Sequence, residues 1–343
     1  MGHKIGLLTE GSSKKDYHIV LLVMLVFFVI SFITNILNSI IVDVKESFDL
    51  SLTMTGFLPF TFFIAYGVMS IPAGFLSERF ENKALLSFSF LLMTLASLVF
   101  VFVPTHIVFS FTLFVLGSCM AILQVIINPM LRVAGGEENF AFNSVVAQLV
   151  FGGASFTSPY LYKYLVNVDA NENWATTLRS FVPEHIPWAS LYLVFSVFCF
   201  VLVLIVLLTK YPTYEKAEGE KAGDSISYMT LIKNKYTHLY FLGIFCYVGI
   251  EQGIGNWISQ FLQEYHQIDP QTFGANTVAY FWAMLTVGCL LGLVLLKIFD
   301  SRKLLVGTTL ITIVCLFFAL LGNSSISLFA FPMLGFFISV MWP

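Results

Sequence analysis

Amide side chains recur at helical spacing inside long apolar runs of the sequence. Asn35 and Asn38 stand three residues apart in the first run, and Gln124 and Asn128 stand four apart in the fourth. Residues three or four apart share one face of a helix, and amides can both donate and accept hydrogen bonds. Polar groups at membrane depth usually face a bundle interior or a water-filled cavity. These pairs therefore predict polar faces that could hold a hydroxylated solute.

The fifth and seventh runs carry the same residue type. Asn143 and Gln148 lie in the fifth run, and Gln252, Asn256 and Gln260 follow one another at intervals of four in the seventh. A single amide of this kind can instead hold two helices together, so both interpretations stay open for each residue. The third, sixth and ninth runs are almost purely apolar. This contrast favours a cavity lined by runs one, four and seven, with the featureless runs facing lipid.

Glu251 is the one carboxylate that we place well inside an apolar run. A lone carboxylate in hydrocarbon is protonated or paired, because ionisation without a partner is too costly. It is either a hydrogen-bonded structural residue or a site for a coupling ion. Gly249, Gly253 and Gly255 surround it, and this glycine density loosens a helix and can expose carbonyl oxygens to a ligand.

Two tryptophans could provide the aromatic platform on which a sugar ring stacks. Trp257 stands beside Asn256, and Trp282 lies in the eighth run. Tryptophan is also the usual residue at a membrane interface, and for Trp282 that interpretation is favoured. Trp257 is therefore the predicted platform.

The composition requires these residues to lie in a membrane protein. Of the 343 residues, 58% are hydrophobic and 11% are charged, whereas a soluble domain carries about 25% charged residues. So few charges cannot cover a surface exposed to water, and the apolar excess must face lipid. The net charge of −3, without a basic stripe, argues against a nucleic-acid partner. The five cysteines show no CxxC or Cys/His cluster, so no metal site is predicted.

Nine apolar runs are long enough to cross about 30 Å of hydrocarbon as helices of roughly 20 residues, and a tenth is incomplete. They lie near 18–42, 54–77, 84–104, 106–132, 140–165, 188–209, 237–263, 275–297 and 303–322. The tenth begins near 326 and stops at Pro343, which is not the expected native end of a chain with two six-helix halves.

Basic residues orient these spans. Of the 17 Lys and Arg residues, only Lys45, Lys163 and Arg179 fall in the loops opposite the N-terminus. By the positive-inside rule the N-terminus is cytoplasmic. We predict an N-terminal half at 1–210, a cytoplasmic linker at 211–236 and an incomplete C-terminal half at 237–343.

A weak internal repeat supports two halves. The segments Phe80–Leu86 and Phe299–Leu305 share the order aromatic, acid, small polar residue, base and apolar run. Parallel repeats of this kind are expected in transporters whose halves are related about the membrane normal.

The loop after the second run resembles a family signature. Its residues from Gly74 to Lys83 are similar to the major facilitator motif G-x-L-x-D-R-x-G-R-[KR], with Glu78 in place of Asp, Arg79 retained and Glu-Asn in place of the usual Gly-Arg. The resemblance implies a major facilitator fold, and a gating role for Gly74, Glu78, Arg79 and Lys83 in stabilising one conformation.

Four segments resemble the fucose/glucose/galactose branch of sugar:proton symporters. They are Asn35–Ser39, Ser70–Gly74, Leu123–Pro129 and Phe245–Gly249, in the order and spacing of that branch. The resemblance implies transport of a hexose or 6-deoxyhexose by alternating access. We expect the coupling ion to be a proton, with sodium as the alternative.

Two intramembrane carboxylates of the branch are missing. Ser39 stands where fucose symporters have Asp, and Gln124 stands where they have Glu, as in glucose/galactose members. A G-R-x-x-G run expected in the eighth span occurs as Gly288–Gly292 without its Arg. Glu251 is then the best remaining residue for proton coupling.

The sequence therefore predicts a monomeric, all-helical, multi-pass sugar transporter of the cytoplasmic membrane, in contact with lipid and without a cofactor or metal. The predicted substrate contacts are Asn35, Asn38, Gln124, Asn128, Asn143, Gln148, Gln252, Asn256 and Trp257. There are two alternatives. The chain could transport an amino sugar, sialic acid or another small polar or amphipathic solute, or it could be a sugar sensor of the same fold that does not transport. Sialic acid is disfavoured because no Arg or Lys lies at depth. An enzyme is disfavoured because the six His lie in loops or at span ends, without HExxH or GxSxG.

Overall fold

The computed structural model describes residues 16–167, 174–209, 233–339 and 341. Within this part of the chain the regular structure is entirely helical. The helices are α1 (Tyr17–Ser47), α2 (Leu52–Arg79), α3 (Asn82–Phe102), α4 (His106–Gly135), α5 (Phe140–Val166), α6 (Trp174–Arg179), α7 (Ser190–Leu208), α8 (Lys235–His266), α9 (Ala275–Ile298), α10 (Ser301–Leu321) and α11 (Ser324–Ser339). A π-helical turn at Pro270–Gly274 precedes α9.

The ten apolar runs correspond one to one to the long helices, with ends that differ by a few residues. Among the described residues, seven helices are long and apolar enough to cross a membrane. Helices α5 and α8 are 27 and 32 residues long but carry more polar residues, and α11 is shorter at 16. The chain is therefore a multi-pass membrane protein.

One helix pair packs in the same way before and after the predicted linker, which divides the chain into two predicted halves. In the first, α2 packs on α4, α3 on α7 and α1 on α5, and in the second, α9 packs on α11. Contacts between the halves run from α5 to α9 and from α1 to α8. Helix α1 lies at the centre of the bundle, because 72% of its most apolar 18-residue stretch is buried. In α10 only 17% of the corresponding stretch is buried.

The repeated loops have nearly the same backbone conformation. Helix α2 ends at Phe80 with φ −116° and ψ 153°, and α9 ends at Phe299 with φ −112° and ψ 149°. Each residue donates its N–H to the carbonyl four positions earlier, and the next helix begins two residues later. The two loops from which the internal repeat is predicted thus share one local conformation.

A second repeated feature is a close contact between two helix backbones. A Cβ at Gly117 in α4 would overlap the carbonyl oxygen of Phe62 in α2, and a Cβ at Gly335 in α11 would overlap the carbonyl oxygen of Phe281 in α9. The two contacts occupy matching positions in the halves. Only glycine permits such an approach.

We call the end of the bundle that carries Arg79, Arg132 and Arg302 the basic end, and the other the Asp43 end. The linker predicted at 211–236 lies mostly outside the described residues, which resume at 233, and α8 begins at Lys235. The division of the chain at residue 210 stays a prediction.

Candidate substrate cavity

A cavity of about 220 Å³ lies between α5 and α9, where the two halves meet. Its lining is mainly apolar, with Leu and Val side chains. The other lining residues that matter for chemistry are Ser144, Gln148, Ser155, Trp282, Thr286 and Cys289. Its volume is below the usual range of ligand sites, about 300–1,000 Å³, so only a small solute would fit in this state.

Asn35 fixes α1 against the wall of this cavity. Its Nδ2 donates to Ser155 Oγ and to the carbonyl oxygen of Ser31, each at 2.9 Å. The hydroxyls of Ser31 and Ser155 are 2.6 Å apart. All three side chains are fully buried. Because buried polar groups need partners, this network determines how α1 is oriented towards α5.

Asn38 extends the network by one turn. Its Nδ2 donates to Asn35 Oδ1 at 3.3 Å, and its own Oδ1 has no partner among the described residues. Trp282 is 1% exposed, and its Nε1 likewise has no partner in the described part of the chain. Trp282, which sequence reasoning assigned to the interface, thus lies inside the bundle and lines the cavity.

Glu251 lies on α8, on the side that faces α9. It accepts hydrogen bonds from Tyr247 and, at 3.3 Å, from Gln252 Nε2. Cys289, which lines the cavity, is close enough to interact electrostatically with it. Asn256 donates from Nδ2 to the carbonyl oxygen of Gln252 at 2.7 Å. These residues form a polar stretch of α8 near the cavity.

The remaining predicted contacts lie elsewhere. On α4, Gln124 is partly buried and Asn128 is exposed. Asn143 packs its amide against Gly135 at the basic end, and Trp257 faces Gly56 of α2, with 3.7 Å between its Cζ2 and the position of a Cβ there. The structure thus brings Asn35, Asn38 and Gln148 together with Trp282. The other four predicted contacts, which are Gln124, Asn128, Asn143 and Trp257, lie outside that group.

Asp43 was missed by the sequence interpretation, which ended the first span at residue 42. Helix α1 continues to Ser47, and Asp43 is 7% exposed. Tyr162 donates its hydroxyl to Asp43 Oδ2, and Gln271 donates from Nε2 to Asp43 Oδ1 at 3.0 Å. The available signal was the spacing of Asn35, Ser39 and Asp43 at intervals of four.

We call Asp43, Tyr162 and Gln271 the latch, because Gln271 belongs to the second half and the other two belong to the first. Two contacts between α1 and α8 lie beside it. Gln263 Nε2 donates to Glu46 Oε1 at 2.8 Å, and Lys45 Nζ is 4.0 Å from Glu264 Oε2. Polar contacts between the halves therefore close the Asp43 end.

The predicted gating loop contacts α7. Lys83 donates from Nζ to the carbonyl oxygens of Leu207 at 2.7 Å and Thr209 at 3.0 Å. A cation at a helix C-terminus interacts favourably with the helix dipole and with the unpaired carbonyls there. Gly74 has open space where a Cβ would stand. Arg79 and Glu78 lie at the end of α2, one turn from this contact.

No group of three His, Cys, Asp or Glu side chains in the described ranges could hold a metal ion. The polar groups that line the cavity are one amide, three hydroxyls, one thiol and one indole.

The sequence is similar to known membrane proteins over its whole length. The profile of the Major Facilitator Superfamily matches residues 23–343. A glucose/galactose transporter of Brucella abortus biovar 1 is 29% identical over 98% of this chain and 81% of its own length. A putative glucose/galactose transporter of Helicobacter pylori is 28% identical over 92% of this chain and 77% of its own. The L-fucose-proton symporter of Escherichia coli is 22% identical over 97% of this chain and 80% of its own.

Solved structures share the fold. A bacterial homolog to the human lysosomal transporter Spinster, inward-facing and unoccupied, aligns with a TM-score of 0.77 at 15% identity, over 96% of this chain and 74% of its own. FucP in the outward conformation aligns with a TM-score of 0.66 at 21% identity, over 94% of this chain and 82% of its own.

Proposed function

Because the chain belongs to the Major Facilitator Superfamily, we propose that it carries a monosaccharide, a hexose or a 6-deoxyhexose, across the cytoplasmic membrane by alternating access. The observation that carries this proposal is the cavity between the halves, with amides and hydroxyls on one wall and an indole on the other. Amides and hydroxyls can hydrogen bond to sugar hydroxyls, and indole provides an apolar face for the ring. The names of the relatives agree with this substrate class.

We propose that the solute contacts change during the cycle. In the present state, Asn35, Asn38 and Gln148 lie at or behind the cavity wall. Further contacts, made as the halves rock, are proposed for Gln124, Asn128, Asn143, Gln252, Asn256 and Trp257. The gating residues Gly74, Glu78, Arg79 and Lys83 would stabilise one of the states.

The orientation follows the basic residues. With the N-terminus in the cytoplasm, the basic end is cytoplasmic and the latch closes the outer end. The cavity begins near Ser144, close to the cytoplasmic start of α5. In this orientation the present state is inward-facing. We propose a monomer surrounded by lipid, since each half is complementary to the other.

Glu251 is the proposed coupling residue, with the proton as the coupling ion and sodium as the alternative. Its neighbours Tyr247 and Gln252 are neutral donors, so a proton can be gained or lost without breaking an ion pair. Cys289 places it beside the cavity.

Counterflow in proteoliposomes tests the proposal. Vesicles loaded with an unlabelled hexose or 6-deoxyhexose should accumulate the labelled sugar transiently, and vesicles without protein should not. The panel includes an amino sugar and sialic acid, and the carboxylate of sialic acid requires a cation that the lining residues of the cavity do not provide. If no labelled monosaccharide is retained above empty vesicles, the sugar assignment is wrong. Binding without flux would indicate a sensor.

A further inference from the structure

Three helices from both halves meet at Gly255 of α8. A Cβ built there would lie 3.1 Å from Trp282 Cζ2 on α9 and 3.2 Å from Asn38 Nδ2 on α1. Gly255 itself is buried. Because no side chain projects from Gly255, the amide and the indole approach the same point from opposite halves.

Each of these side chains has one polar atom without a partner. Asn38 Oδ1 is a free acceptor and Trp282 Nε1 is a free donor, among the residues that the structure describes. The side chains are 0% and 1% exposed. Buried donors and acceptors are costly to leave unpaired, and an exception requires an explanation.

The network behind Asn38 determines which end of its amide is free. Asn35 Nδ2 donates to Ser155 and to the Ser31 carbonyl, so Asn35 Oδ1 remains to accept from Asn38 Nδ2. The carbonyl oxygen of Asn38 is then the atom left for a ligand. Asn38 therefore presents an acceptor and Trp282 presents a donor.

A hydroxyl group fits this pair, because it accepts one hydrogen bond and donates another. We propose that Asn38 and Trp282 form a subsite that reads one ring hydroxyl of the solute, which accepts from Trp282 Nε1 and donates to Asn38 Oδ1. This inference rests on the proposed function, and it goes further by assigning a hydroxyl specificity to two residues. Trp282 also lines the cavity.

The subsite also joins the halves through the solute. Asn38 belongs to the first half and Trp282 to the second, so one hydroxyl would hold both. An apolar analogue of the same size would leave both polar atoms unpaired. A site built to hydrogen bond a hydroxyl rejects the analogue that lacks it far more strongly than a merely apolar pocket would.

The test compares Trp282→Phe with the unaltered protein, using D-glucose, D-galactose and the monodeoxy analogues of each. Purified protein is titrated with each sugar, and dissociation constants are measured. In the unaltered protein, one deoxy analogue should bind at least about tenfold more weakly than its parent. Trp282→Phe keeps a ring but removes the N–H. It should bind the parent about tenfold more weakly, and should bind that one analogue no more weakly than the unaltered protein does.

Gly255→Ala is the second variant, and it leaves both reading residues in place. Its methyl group would press on Trp282 and Asn38, so affinity for the parent sugar should fall at least about tenfold, with discrimination against the same analogue lost. Gly243→Ala on the same helix is the matched control, since nothing lies within 4 Å of its Cβ position. It should bind as the unaltered protein does.

The outcomes separate this inference from the proposed function. If the unaltered protein binds a hexose but Trp282→Phe weakens every analogue by the same factor, the indole only packs and the subsite is wrong. If Trp282→Phe does not fold, Gly255→Ala decides by the same criterion. If the unaltered protein neither binds nor transports any monosaccharide, the proposed function fails first.

Discussion

Asp43 and Glu251 both accept hydrogen bonds from tyrosine hydroxyls. Tyr162 donates to Asp43, and Tyr247 donates to Glu251. The first pair closes the Asp43 end with Gln271, and the second lies beside the cavity at Cys289. The same kind of hydrogen bond thus occurs at two places along the bundle, at the Asp43 end and beside the cavity.

Glu251→Gln should separate exchange from accumulation. The amide keeps the size of the side chain but cannot release a proton, so sugar exchange should remain within about threefold while accumulation driven by a pH gradient is lost. Uptake in proteoliposomes with and without an imposed gradient measures both. Glu184→Gln, at an exposed loop residue, should change neither. Gradient-driven accumulation by Glu251→Gln would show that another group carries the proton.

Spacing in the sequence was enough to find Asn35 and Asn38, because two amides on one face of an apolar helix require a polar environment. It could not place Asn143, since its neighbour Ser144 lines the cavity and Asn143 does not. Successive residues of a helix differ by about 100° in direction, and only the packing of α5 against its neighbours selects between them. Trp282 was considered as a platform but assigned to the membrane interface, because an interfacial Trp and a cavity Trp look alike in sequence.

Helix α1 shows how one element combines two roles. It carries the amides of the cavity wall and, one to two turns later, the carboxylate of the latch. The hydrocarbon thickness fixes the approximate length of a span, which is why the sequence gives nearly every helix. It does not give the last turn of α1, since Asp43 and Lys45 are polar and their burial or pairing depends on the other half.

Gln271→Ala should open the Asp43 end more often. It removes the hydrogen bond that crosses between the halves and leaves the Asp43–Tyr162 bond within the first half intact. Hydrogen bonds to charged groups contribute about 1.5–3 kcal/mol, so the open population should rise about tenfold or more. The readout is the rate at which an impermeant thiol reagent modifies Ser259→Cys, a position 0% exposed in the closed state, in a background without native cysteines.

Gln267→Asn is the control for that experiment. Gln267 lies four residues earlier and donates only to the carbonyl of Glu264 in its own segment, and Asn tolerates its left-handed backbone. The modification rate should be unchanged. An equal rate in Gln271→Ala and the control would mean that the latch does not hold the Asp43 end closed.

At the scale of the described molecule, the two predicted halves share a helix-packing pattern and meet through polar contacts. Inside each unit a glycine brings two helix backbones together, Gly117 against Phe62 and Gly335 against Phe281. The loop repeat was visible in the sequence, but the glycine contacts were not. A close approach depends on two helices together, so it cannot be predicted from the sequence of either helix alone. The pairing of α5 with α9 was hidden for the same reason.

Gly117→Ala and Gly335→Ala should each destabilise the protein, by about 1–3 kcal/mol, because the added methyl group forces backbones apart. Thermal unfolding of the purified protein in detergent should show a lower melting temperature for both. The controls are Gly67→Ala and Gly307→Ala, where nothing lies within 4 Å of the added carbon. Their melting temperatures should not be lower than that of the unaltered protein. Unchanged melting of Gly117→Ala and Gly335→Ala would mean that the repeated contact is not needed for packing.

Because the latch and the cavity-wall amides lie on the same helix, a tilt of α1 near Asn38 also displaces Asp43. Asp43 lies five residues beyond Asn38, a distance of about 7.5 Å along the axis at 1.5 Å per residue. A rigid tilt of α1 by about 10° around Asn38 would move Asp43 by roughly 1.3 Å, enough to lengthen its 3.0 Å bond to Gln271 beyond hydrogen-bonding distance. A small rotation at the proposed hydroxyl subsite would therefore be enough to break the hydrogen bond between Asp43 and Gln271.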